Sequence, residues 1–174
     1  LKGEIAMSTA GNHFYHEVLH MLHIEKGATE HETTITGAVV LVGRLFFALI
    51  FLMSAPTHFT RQAVDYATSQ GVPLASVAVP LSGIIALAGA LSILLGYHAR
   101  LGGWLLVLFL VPVTLMMHAF WKVSDPAMAQ TQMIMFLKNV SMLGGALLIT
   151  QFGTGPFSLD AKLSHDKVMP DRHL

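Results

Sequence analysis

Ala38-Val-Val-Leu-Val-Gly-Arg-Leu-Phe-Phe-Ala-Leu-Ile-Phe-Leu-Met-Ser54 is an unbroken apolar run that carries one charge, Arg44, and stops just before Pro56. A helix needs about 20 such residues to cross the hydrocarbon of a bilayer, so the run reads as a short membrane span. Proline disfavours helix at the residue before it, which sets the end. Three further runs of this kind lie near Pro73 to Leu95, Leu101 to Trp121 and Met133 to Phe152. Their connections are short, so the spans must pack as antiparallel neighbours in one bundle. The expected fold is all-α: a four-transmembrane-helix antiparallel bundle over residues 37–153, preceded by a histidine-rich amphipathic helical segment (1–36) and followed by a tail (154–174), both cytoplasmic.

Composition agrees. Of 174 residues, 53% are hydrophobic and 11% charged, where a soluble domain carries about 25% charged. Ten basic residues balance ten acidic ones, so nothing points to a nucleic-acid partner. There is no cysteine, which excludes disulfide exchange, thiolate catalysis, cysteine-ligated iron–sulfur clusters and covalently attached haem. No cofactor is therefore expected to be bound covalently.

Between the first two spans, Phe59, Ala63, Tyr66 and Ala67 recur at helical spacing in a polar stretch closed by Gly71 and Pro73, the pattern of a short interfacial helix. Ser82, Ala86 and Ala90 recur every four residues, with Gly83 and Gly89 beside them; small residues at this spacing let helices approach closely in lipid. Pro112 predicts a bend in the third span. Ser124-Asp125-Pro126 reads as a cap followed by proline at the first helical position, so the fourth helix starts outside the apolar core.

Four crossings put both termini and the turn at Arg100 on one side, with Lys2, Lys26, Lys162, Lys167 and Arg172, against Arg61 and Lys122 on the other. The excess of basic residues places both termini in the cytoplasm. No cleavable signal sequence is expected, since residues 1–36 lack an apolar stretch of the required kind.

His13, His16, His20 and His23 form one stripe of an amphipathic helix expected to lie on the membrane. Within it His16-Glu17-Val18-Leu19-His20 matches the H-E-x-x-H pattern, in which two imidazoles one turn apart bind zinc and the glutamate activates water. A catalytic zinc needs a third protein ligand, and neither a glycine-histidine extension nor an acidic helix follows. The stripe is read as a solvated histidine face with no assigned metal, His16 and His20 being its only metal candidates.

Ionisable groups at membrane depth are costly and normally face a bundle interior or a cavity. Arg44 lies roughly 9 Å inside the first span at the helical rise, and the stripe Arg44, Ala48, Phe51, Ala55 can turn it inward. His58, His118, Trp121, Asp125, Lys138 and Asn139 all come to the outer half of the bundle, with Thr114, His118 and Trp121 on one face of the third span. Each has an ordinary role open to it, such as belt aromatic, helix cap or snorkelling lysine. Their shared level points to an outer-half polar pocket.

Gly43-Arg44-Leu-Phe-Phe-Ala-Leu-Ile-Phe51, Tyr66-Ala67 with Gly71-Val72-Pro73, Leu91-Ser-Ile-Leu-Leu-Gly96 before Arg100, and Met117-His118-Ala-Phe-Trp121 with Lys138-Asn139 together resemble the DoxX family of small four-helix membrane proteins. The likeness covers about residues 38 to 160. It implies a bacterial-type inner-membrane protein that serves as, or supports, a subunit of a quinone-linked electron-transfer complex. One departure stands out: many DoxX members carry a glutamate in the second span, and Ile84-Ile85-Ala86-Leu87-Ala88-Gly89 has no acid.

The leading expectation is therefore an oxidoreductase-associated membrane subunit, embedded in the lipid bilayer with other subunits as partners. Two rivals stand beside it. One is a thiosulfate or related sulfur-compound:quinone oxidoreductase, with Lys138 and His118 binding a small anion or a quinone carbonyl. The other is a structural accessory subunit of a respiratory or photosynthetic assembly, whose histidines leave haem or pigment ligation open. The residues alone do not decide whether the chain is catalytic.

Overall fold

The computed structural model describes residues 34–153 and 155–168. By internal packing the chain divides into Leu1–Val39, of which residues 34–39 are described, and Val40–Leu174. Helix α1 covers residues 34–54. A 3-10 turn, Ala55–Phe59, and a short α2, Arg61–Ser69, lead to α3, Ala75–Leu95, and α4, Ala99–Met117. A second 3-10 turn, Phe120–Lys122, precedes α5, Pro126–Phe152, and α6, Leu159–Val168. Among the described residues, four stretches are long and apolar enough to cross a membrane: Thr34–Phe59, Ala75–Leu95, Ala99–Lys122 and Pro126–Phe152. The protein is an all-α, four-helix membrane bundle. The histidine stripe and its H-E-x-x-H pentapeptide lie outside the described residues.

The helices end where local chemistry dictates. Pro56 sits in the first turn of its 3-10 segment, where its missing N–H would have had no partner, so the first span continues past Ser54 instead of stopping. Thr60 caps α2, its Oγ1 accepting from Ala63 N, and Gly71, at φ +79°, turns the chain out of that helix. Asp125 caps α5 by accepting from Met128 N at 2.8 Å, with Pro126 in the first turn. That N-terminus has the form the sequence indicates.

The third span departs from expectation at its end. Helix α4 stops at Met117 and His118 takes a non-helical φ of −122°. The chain then re-enters as a 3-10 turn, which rotates Trp121 away from the face that carries Thr114. It lies 55% exposed, edge-on to Phe120 and Phe136.

The core mixes small alanines with a few larger aliphatic and aromatic side chains. Ala48 and Phe51 of α1, Ala86, Ala90 and Ile93 of α3, Leu106, Phe109 and Leu110 of α4, and Ala146 of α5 are buried together. Large apolar residues point the other way, with Phe46, Leu108 and Leu148 all 60% or more exposed. A soluble protein rarely presents so large an apolar surface; a bundle solvated by lipid does.

Glycines set how closely the helices approach. A Cβ on Gly89 would stand 2.9 Å from Gly102 O, and one on Gly102 would stand 2.9 Å from Gly89 O, so α3 and α4 meet backbone to backbone. Gly103 of α4 receives Thr150 and Ala146 of α5, Gly145 of α5 receives the Phe47 ring of α1, and Gly83 of α3 receives His58. Such small-residue contacts replace the hydrophobic drive that lipid removes.

The stretch expected as a plain tail docks back on the bundle. Asp160 N donates to Gly96 O at 2.9 Å. Its carboxylate accepts from His98 N at 3.0 Å and lies 3.4 Å from Ala99 N, capping α4 from a distant part of the chain, because His98, in a left-handed conformation, supplies no side-chain cap of its own.

Candidate functional site

Arg44 fulfils the inward-turning stripe. It is 5% exposed, with Ala48, Phe51 and Ala55 at 0–2%. One guanidinium nitrogen donates to Leu94 O and another to Phe157 O, each at 2.7 Å. Leu94 O belongs to the last turn of α3, whose carbonyls lack intrahelical donors. The arginine thus joins α1, the end of α3 and the segment before α6. Both of these acceptors are backbone carbonyls.

At the opposite end from the α3–α4 turn, a cavity of about 490 Å³ opens among α1 to α5. That volume suits a small organic ligand. Phe51, Val79, Phe109, Leu110 and Met142 are among its apolar wall, and His58, His118, Lys138 and Asn139 supply polar groups. Four of the six expected pocket residues therefore meet around one space. The other two do not. Asp125 is exposed and engaged in capping α5, and Trp121 has turned out with its 3-10 segment.

Each polar residue is held by its own element. The break after α1 brings His58 against Gly83, whose bare backbone leaves room for the imidazole. Its Nδ1 lies 3.2 Å from Ser54 O and its ring 5.6 Å from the Phe109 ring. His118, freed where α4 ends, places Nδ1 2.8 Å from Gln132 Oε1 of α5. Lys138 Nζ lies 3.2 Å from Met135 Sδ, and among the described residues no carboxylate pairs with it, Asp125 included.

Asn139 is 5% exposed yet its amide makes no hydrogen bond to any described residue. Its amide nitrogen and oxygen are not sealed from open space, and polar atoms left open inside a packed bundle call for an explanation. Its place on the cavity wall provides one. Sequence reading did not find Gln132, which positions His118, nor Ser54, Thr57 and Ser82, whose hydroxyls also line the space. Polar residues of this kind are common in helices, and only the packing tells which ones face a hollow.

A family model described as SURF4 family matches residues 21–165. Among characterised sequences, the chain is 28% identical over 129 residues to "Inner membrane protein YphA" of Escherichia coli K12, covering 71% of this chain and 89% of that one. It is 27% identical over 127 residues to "Inner membrane protein YqjF" of the same organism, covering 72% and 92%. No solved structure matches the chain. These matches overturn the DoxX resemblance. Several of its quoted pieces serve the packing of this bundle: Arg44 binds a helix-end carbonyl, Gly96 closes α3 in a left-handed conformation and Gly71 stands in a turn. With it go the quinone-linked electron-transfer subunit and the sulfur-compound:quinone oxidoreductase, which drew on that likeness alone, and the structural accessory subunit has no support either. What the match covers, from before the first span through the docked C-terminal segment, is the whole bundle just described: the chain belongs to the SURF4 family.

Proposed function

We propose that the protein is a multi-pass binding protein of the bacterial-type inner membrane that holds a small, mostly apolar molecule by a polar head in the cavity between α1 and α5. The observation that carries this reading is Asn139: a side chain 5% exposed, without a hydrogen bond to the described residues, on the wall of a cavity of about 490 Å³. His58, His118 and Lys138 stand around the same space. The inner-membrane location is supported by the names of the two relatives. Nothing in the reading requires a reaction.

Asn139→Leu tests it. Leucine removes an unpartnered amide and keeps a similar bulk, so thermal unfolding in detergent should be unchanged or shifted upward. Photolabelling by a diazirine-bearing dodecanol in nanodiscs should fall at least tenfold, and Lys138→Met should weaken it as well. Wild-type labelling should map by mass spectrometry to peptides around Ser54–His58, Phe109–His118 and Lys138–Met142. A leucine variant that unfolds early, or one that labels normally, contradicts the proposal.

The topology reading belongs here too. Arg100 and Lys162 stand at the end that holds the α3–α4 turn, and Arg61 and Lys122 at the other, which supports cytoplasmic termini. Cysteines introduced at Thr68 and Ala127, both exposed, should react with an impermeant thiol reagent outside intact cells, and one at Ser164 should not. Reversed labelling would invert the orientation and place the cavity in the inner leaflet.

A further inference from the structure

The cavity carries donors on Tyr66, Lys138 and Asn139, and beside them a set of groups left only as acceptors. Ser54, Thr57 and Ser82 each have one hydroxyl proton, and each already donates it to a helix carbonyl: to Phe51 O at 3.2 Å, Ser54 O at 2.7 Å and Val79 O at 2.7 Å. Their oxygens face further partners only as acceptors. His58 Nδ1 lies against the Ser54 carbonyl, which can only accept, so Nδ1 carries the proton. A neutral imidazole has only one such proton, and Nε2 is left with a lone pair. His118 repeats the arrangement with Gln132 Oε1. Neither Nε2 is bonded to a described residue or sealed from open space.

Resting on the binding role proposed above, we infer that the cavity selects a neutral, hydroxyl-bearing amphiphile, whose O–H donates to the imidazole and hydroxyl acceptors while its oxygen accepts from Asn139 or Lys138. A carbonyl-only or ether head leaves the acceptors unmatched. A buried polar group without its partner is penalised strongly, which is how a site built for an O–H rejects the analogue that lacks one. An ammonium head would meet the acceptors but also the charge of Lys138, which has no carboxylate partner among the described residues. The apolar body lies against Phe51, Phe109 and Leu110.

The test uses the full chain in nanodiscs, photolabelled by the diazirine-bearing dodecanol, with dodecan-1-ol, dodecyl methyl ether and dodecylamine as competitors at equal mole fraction in the bilayer. Dodecanol should compete at least tenfold more effectively than the ether and more effectively than the amine. His58→Phe, which keeps a ring against Gly83 and Phe109, should shrink the preference over the ether to less than threefold. Independently of any ligand, ¹⁵N NMR of histidine-labelled protein, recorded at a pH where the imidazoles are neutral, should find the proton of His58 and His118 on Nδ1. Equal competition by alcohol and ether overturns the inference and leaves the binding role standing. Stronger competition by the amine, or a proton found on Nε2, overturns it too. Failure of every competitor, with labelling outside the cavity peptides, overturns both readings.

Discussion

Arg44→Met should lower the unfolding temperature in detergent by roughly 5–15 °C, corresponding to a loss of about 2–4 kcal/mol. The arginine donates at 2.7 Å to Leu94 O and to Phe157 O while 5% exposed itself. Methionine fills the space and restores neither bond. Two carbonyls are then left in surroundings where water cannot replace the donor, and unsatisfied backbone is most costly at membrane depth. Arg44→Lys should fall between the two. A lysine ammonium keeps the charge but lacks the planar fork that reaches two acceptors in different directions. The loss should also release the segment before α6, so proteolysis near Phe157 should quicken in the methionine variant. A methionine variant that melts with the wild type would show that the two bonds contribute nothing.

The second large effect is expected at the α3–α4 crossing. Gly102→Ala places a Cβ 2.5 Å from Ser92 Oγ and 2.9 Å from Gly89 O. Gly89 O is backbone and cannot rotate aside. Ser92 could, but its hydroxyl donates to Tyr97 O at 2.6 Å and helps hold the turn between the helices. Overpacking of this kind costs about 1–3 kcal/mol, more than alanine's gain in helix propensity of up to about 1 kcal/mol. Gly144 provides the control, with nothing within 4 Å of an added Cβ. Gly144→Ala should be neutral or slightly stabilising. If the two alanine variants unfold at one temperature in detergent, close backbone contact is not what fixes this crossing.

The sequence by itself determined the architecture. Four apolar runs of membrane length, joined by short connections, admit one helical solution in lipid, because backbone polar groups must be satisfied within each span. The stripe Arg44, Ala48, Phe51, Ala55 is readable for the same reason, since one helical period decides which residues share a face. Asp125 before Pro126 announces the start of α5 through local capping chemistry alone. The family was not readable from these features, because an arginine near a helix end and glycines at crossings and turns serve the architecture of many bundles.

Only the tertiary structure decided which polar residues share a space. Trp121 left the group because α4 breaks at Met117, a termination with no strong local signal: its proline, Pro112, lies inside the helix. Asp160 became the cap of α4 through a contact 62 residues distant in sequence, and no periodicity carries such a pairing. Asn139 and Lys138 are neighbours in the chain, yet the first is buried without a partner and the second is exposed. That difference arises from where the neighbouring helices come to lie. Hollows are left where side chains fail to fill the space between helices whose crossings Gly83, Gly89 and Gly102 set, and a hollow of that kind exists only once every helix is in place.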